Sequence, residues 1–181
     1  MNHRTSLGIV WMMCAVLLFS AMAVPVQATN WYVNDGDTNG DVYTTSPGSD
    51  AISDTQNASD TPFRTISRAL TALSGDSVTS DTIFVDSGTY NEQVNFDTGD
   101  LRIVGADSSS TVVDSGILKT SLNPRSNIEI SQLQIKSPPN QAIYLNTVSS
   151  AVVEDVVSTG AGSSGGGNEG ILLEGVTQSS L

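Results

Sequence analysis

Histidine and cysteine are nearly missing from this chain. It has one of each, His3 and Cys14, both within its first 14 residues. Beyond Cys14, no Ser-His-Asp or Cys-His catalytic set can be assembled, no disulfide can form, and no imidazole-thiolate zinc site is available. Positive charge is also short: seven Lys and Arg stand against 19 Asp and Glu, a formal net charge of −12. Such a surface repels nucleic acid and anionic membranes, and it repels a polyanion unless cations screen it. Charged residues make up only 14% of the chain, and Ser, Thr, Gly, Asn and Asp fill the gaps. This is a strand-and-turn composition, with room for about one domain in 181 residues.

Long apolar runs are absent except at the start. Asn2, His3 and Arg4 precede the uncharged, mainly apolar run Leu7 to Val24; Pro25 breaks it, and Val26-Gln27-Ala28 supplies small residues of the kind a signal peptidase selects. Residues 1–28 therefore read as a signal peptide cut after Ala28, which implies a secreted or cell-surface protein. An uncleaved anchor is the alternative reading of an 18-residue run. Cleavage removes His3, Cys14 and Arg4, leaving six bases against 19 acids and a net charge of −13. No membrane attachment is expected after it.

What is present is concentrated between Asp81 and Gly116. Four apolar or β-branched runs (82–85, 94–96, 101–104 and 111–113) each end at Gly, Asp, Asn or Ser, leaving no room for helical crossovers. The tetrapeptide VDSG at Val85–Gly88 recurs at Val113–Gly116, and AIYLNTV from Ala142 is echoed by GILLEGV from Gly170; both shifts are 28 residues. A repeat of this length marks a solenoid, in which each winding rests its apolar face on the one below. We read Asp81–Gly116 as one coil of a parallel β-helix occupying 81–181. One predicted ladder runs Val85, Val113, Leu145, Leu173; a second runs Ile103, Ile130, Val153, with Leu133 and Val156 in the same relation. A β-sandwich or β-propeller is the competing reading. The Gly- and Ser-rich stretch Ser158–Gly170 is a loop.

Upstream, Trp31-Tyr32-Val33 reads as a strand within the segment 29–60. The DGDTNGD stretch after it resembles the opening of a calcium-wrapping loop over 35–46. Its candidate ligands are Asp35, Asp37, Asn39 and Asp41. Ser46 stands where a bidentate acid belongs, with Asp50 and Asp54 near enough to substitute; the alternative is a polar turn. A helix is predicted over 61–74, capped by Asp60 or Thr61, with Phe63, Ile66, Ala69, Leu70 and Leu73 on one face and Gly75 as its stop. It covers the open end of the first coil, while Arg64 and Arg68 are solvated.

The order WYV, polar loop, TPFRTISRAL, DTIFVDSGTYNEQVNF and LRIVGADSSSTVVDS resembles the N-terminal part of secreted right-handed parallel β-helix proteins of the pectate-lyase-like superfamily, over roughly residues 30–176. PFRTISRAL and GTYNEQV are its most specific pieces. The resemblance implies an all-β, right-handed solenoid with an N-terminal capping α-helix, and a role in acting on or binding extracellular, acidic polysaccharide. Calcium-assisted β-elimination is one implied activity; a non-catalytic adhesin or stalk is the other. For elimination the candidate bases are Arg102, Lys119, Arg125 and Lys136, each equally readable as a salt-bridging surface residue, and no Asp cluster lies on the strand ladders. Glu154 and Asp155 are adjacent and expected on opposite strand faces. The chain stops at VTQSSL without a second cap and reads as a fragment, with its catalytic residues expected beyond Leu181.

Overall fold

The computed structural model describes residues 28–73, 80–138, 140–160 and 170–181. Most of the predicted leader, the helix stop at Gly75 and most of the Gly- and Ser-rich loop lie outside them. Among the described residues the order is β1 (Asn30–Val33), α1 (Ile66–Leu73), β2 (Asp81–Val85), β3 (Gly88–Tyr90), β4 (Gln93–Asn95), β5 (Leu101–Gly105), β6 (Thr111–Asp114) and β7 (Gly116–Lys119). There follow β8 (Ile128–Lys136), β9 (Ile143–Asn146), β10 (Ala151–Thr159), β11 (Ile171–Glu174) and β12 (Ser179–Ser180). The strand ladders are parallel, and each strand pairs with its counterpart one winding on: β1-β2-β5-β8-β10-β12 forms one path and β4-β7-β9-β11 another, with β3 and β6 joining the second half of β8. The chain is a parallel β-solenoid of about three turns.

Aliphatic side chains hold the windings together. Ile83, Ile103, Ile130 and Val153 stack in register, as do Leu133 and Val156, and a further column runs Val94, Ile117, Ile143, Ile171. Ile83, Ile103, Ile117, Ile130, Leu133 and Ile143 have no solvent exposure, and burying each contributes about 1.5–3 kcal/mol.

The other predicted ladder is corrected. Leu145 does sit on Leu173, but Val85 pairs with Val33 and Gly105, and Val113 with Tyr90 and Ile135. The two VDSG copies mark different corners, because turn lengths vary: Asp81 meets Leu101 after 20 residues, whereas Leu101 meets Ile128 after 27. Asp81–Gly116 accordingly spans more than one winding.

A second correction concerns Glu154 and Asp155. β10 bends at Asp155 (φ 52°), as β8 bends at Gln132 (φ 57°), so the strict two-residue alternation is lost and both acids are exposed. One winding up, Gly105 lies so close that a Cβ there would sit 2.0 Å from the Gln132 carbonyl oxygen. Only glycine fits.

The N-terminal end is sealed by irregular chain as well as by the helix. Phe63 forms a parallel bridge to Val33, donating its N–H to Tyr32 O while its carbonyl accepts from Asn34 N–H, both at 2.9 Å. This keeps the segment extended past Thr61 and sets the helix start at Ile66, with the Thr65 hydroxyl accepting the Arg68 N–H at 3.1 Å as its cap. Asn57 clasps the outer edge of β1 through both the Tyr32 N–H and C=O, satisfying an edge that would otherwise recruit another strand. The predicted apolar face of Phe63, Ile66, Ala69, Leu70 and Leu73 packs into the core.

Candidate functional site

The densest polar arrangement lies where the loop after β1 folds over the corner after β2. Asp86 has no solvent exposure. Its Oδ1 accepts the Val42 N–H at 2.6 Å and its own neighbour Ser87 N–H at 3.1 Å, and its Oδ2 accepts the Tyr43 and Thr44 N–H groups at 2.9 and 2.7 Å. A buried carboxylate is tolerable on these terms, because four oriented amides replace its water. With the loop so held, Tyr43 packs on Phe84 at 4.9 Å between ring centres, and its hydroxyl donates to Gly105 O at 3.1 Å. Burial, then the Asp86 charge, raises the pKa of the Tyr43 phenol.

The four predicted calcium ligands take separate places in this loop. Asp35 Oδ1 accepts the Gly36 and Asp37 N–H groups, and its Oδ2 accepts the Thr89 N–H at 3.1 Å. Asp37 is exposed and turns its Oδ1 onto the Thr38 and Asn39 N–H groups; Asn39 is exposed as well. Asp41 is half-buried, as Asp35 is, and its Oδ2 accepts the Asn34 side-chain amide at 2.6 Å and the Thr44 hydroxyl at 3.4 Å. Burial, followed by the Asp86 charge, raises the Asp41 carboxyl pKa, against the lowering effect of the Asn34 and Thr44 hydrogen bonds. Ser46 contributes its carbonyl to Asn34 at 2.9 Å. Asp50 and Asp54 face the helix instead: Asp50 accepts the Arg64 and Thr65 N–H groups, and Asp54 pairs with Arg68.

The motif GTYNEQV is a lock for the cap. Tyr90 is buried with its hydroxyl on Asp86 O at 3.0 Å, Val94 is in the core, and the Glu92 carboxylate takes the Ile66 and Ser67 N–H groups at 2.8 and 2.9 Å at the start of α1. Those amides have no partner inside the helix, and an anion there also meets the positive end of the helix dipole. Arg68, expected to be solvated, lies over the Phe63 ring at 4.4 Å and donates to Ile52 O, so it clamps the loop to the cap.

The candidate bases are mostly engaged. Lys119 is no surface residue: it has no exposure, and its Nζ donates to the carbonyls of Ser121, Asn123 and Asn146 at 2.8, 2.9 and 2.7 Å. Burial lowers its pKa. Its inward direction follows from strand alternation, since Ile117 and Lys119 share the core-facing side of β7. Arg102 makes a two-pronged bond to Glu129 at 2.8 and 2.9 Å, and Arg125 meets Asp97 at 3.3 Å. Lys136 is exposed.

A groove of about 740 Å³ runs between α1 and the turns before β5 and β8. Leu70, Leu73 and Phe96 form its apolar side, and Asp97, Thr98, Asp100, Arg125 and Ser126 form its polar side. Among the described residues no three acids, histidines or cysteines converge as a metal cluster. No helix among the described residues is long and apolar enough to cross a membrane. Comparison with protein-family models, curated proteins and solved structures gave no match.

Proposed function

We propose that the chain is exported by its leader, winds as a right-handed parallel β-helix of the pectate-lyase-like kind, and binds extracellular polysaccharide. The observation that carries this reading is the groove between α1 and the coil corners. Its volume of about 740 Å³ suits a small organic ligand, and an apolar side opposite carboxylate, hydroxyl and guanidinium groups matches sugar rings, which have one greasy face and a rim of hydroxyls. For an acidic polymer, calcium would bridge the sugar carboxylates to Asp97 and Asp100, since the chain's net charge of −12 opposes direct contact.

Binding without cleavage is the reading the described residues support. Elimination in the groove requires a base free to take a proton there; of the four candidates, Lys119, Arg102 and Arg125 are committed elsewhere, and the exposed Lys136 does not line the groove. The test is retention of the full chain on immobilised neutral and uronate polymers, with calcium or with chelator, beside Thr98→Trp, which fills the groove. Retention lost in Thr98→Trp supports the reading. No retention on any polymer, with or without calcium, overturns it, and release of unsaturated uronide would replace it with calcium-assisted β-elimination.

A further inference from the structure

Asn39-Gly40 is the one Asn-Gly step in the chain, and the loop after β1 presents both residues to solvent. Among the described residues no hydrogen bond holds the Asn39 side-chain amide or the Gly40 N–H, although the groups on either side are held: the Asn39 N–H donates to Asp37 Oδ1 at 3.1 Å, and Gly40 O accepts the Ser87 hydroxyl at 2.8 Å. With no side chain on Gly40, nothing shields its nitrogen from the Asn39 side-chain carbonyl carbon. The Asp35-Gly36 step has the same chemistry open to it in the opposite setting. Asp35 is half-buried, its Oδ1 accepts the Gly36 N–H at 2.6 Å, and its Oδ2 accepts the Thr89 N–H at 3.1 Å. Ring closure at Asp35 has to break those bonds first.

We propose that Asn39 is a site of spontaneous deamidation, and that its isoaspartyl product releases the loop from the first winding. The Gly40 nitrogen loses its proton to hydroxide and bonds to Asn39 Cγ; the Cγ–Nδ2 bond breaks, and ammonia leaves with a proton taken from water. Water then opens the succinimide ring at either carbonyl, giving aspartate or isoaspartate at position 39. Either product adds a negative charge to a loop that already carries Asp35, Asp37 and Asp41. Only isoaspartate also lengthens the main chain, by one carbon between Asn39 and Gly40. That carbon falls between the Asn39 N–H held by Asp37 and the Gly40 carbonyl held by Ser87, so one of the two contacts gives way. The Ser87 contact leads directly into the stretch where Asp41 meets Asn34 and the amides of residues 42–44 meet Asp86, and its loss loosens that fastening.

Incubation of the full chain in mildly alkaline buffer, followed by peptide mapping and labelling with an isoaspartate-specific carboxyl methyltransferase, tests both halves. Conversion at Asn39 before any other asparagine, at a rate that rises in proportion to hydroxide, with no isoaspartate at 35 and none at 39 in Asn39→Gln, is the expected result. Conversion of another asparagine first, isoaspartate at 35 as fast as at 39, or an Asn39 that persists in the folded chain while the urea-unfolded chain converts, overturns the site. The wild-type chain alone decides these outcomes, so they stand even if a variant misfolds. The amides of residues 42–44 are then expected to exchange faster in the isoaspartyl fraction, and at the wild-type rate in freshly prepared Asn39→Asp. Equal rates in all three forms overturn the release of the loop.

Discussion

Asp86 and Lys119 are both charged and both fully buried, yet the solenoid accommodates them in opposite ways. Asp86 gathers N–H groups from a loop more than 40 residues earlier in the chain, and it has a like charge, Asp41, near it. Lys119 gathers carbonyls mainly from the turn that follows it, with one bond to the next winding at Asn146, and it has both an opposite charge, Asp97, and a like one, Arg125, near it. Asp86 therefore joins segments that nothing local brings together, whereas Lys119 closes a turn that its own strand delivers. Identical burial produces a long-range fastener in one place and a short-range one in the other.

That contrast is broken most severely at Asp86. Asp86→Ala strands three loop amides and is expected to cost about 3–5 kcal/mol in urea unfolding; a cost near that of an exposed carboxylate would erase the distinction. Lys119→Met keeps the packed stem and removes three donors, for about 2–3 kcal/mol by the same measurement, less because an unpaired carbonyl is tolerated better than an unpaired N–H. Glu92→Gln weakens the anchor at the start of α1 and is expected to cost about 1 kcal/mol, with faster amide exchange at Ile66 and Ser67.

The smallest effect lies beside Lys119. Burial nudges the Asp97 carboxyl pKa up, but hydrogen bonds from Asn123, Ser121 and Arg125 outweigh that and hold it below the usual carboxylate range. Its contribution is thus complete above the ordinary carboxylate pKa and is lost as pH falls through that range towards the folded value. Because Asp97 is partly exposed, Asp97→Asn should remove only about 0.3 kcal/mol at pH 7 and flatten the decline in melting temperature below about pH 4.

The same contrast explains what could be read from sequence. Ile103, Ile130 and Val153 were legible because an aliphatic column leaves a spacing that survives changes in turn length, and the helix face from Phe63 to Leu73 was legible from its three- and four-residue period. The VDSG repeat misled because its turn residues mark two corners that do not stack. Asp86 gave no signal, since its partners are backbone amides of a loop whose path the sequence does not display. Lys119 did give one: it occupies an inward position two residues after Ile117, and a charge in that register requires buried acceptors.

Hydrogen exchange at the Val42, Tyr43 and Thr44 amides, compared between wild type and Asp86→Asn, tests most directly whether one buried carboxylate fastens the N-terminal loop to the coil. Protection in the wild type comparable to that of β-ladder amides, lost in Asp86→Asn while the amides of β7 and β9 keep theirs, is the predicted result. Equal and rapid exchange of the three amides in both proteins would contradict it.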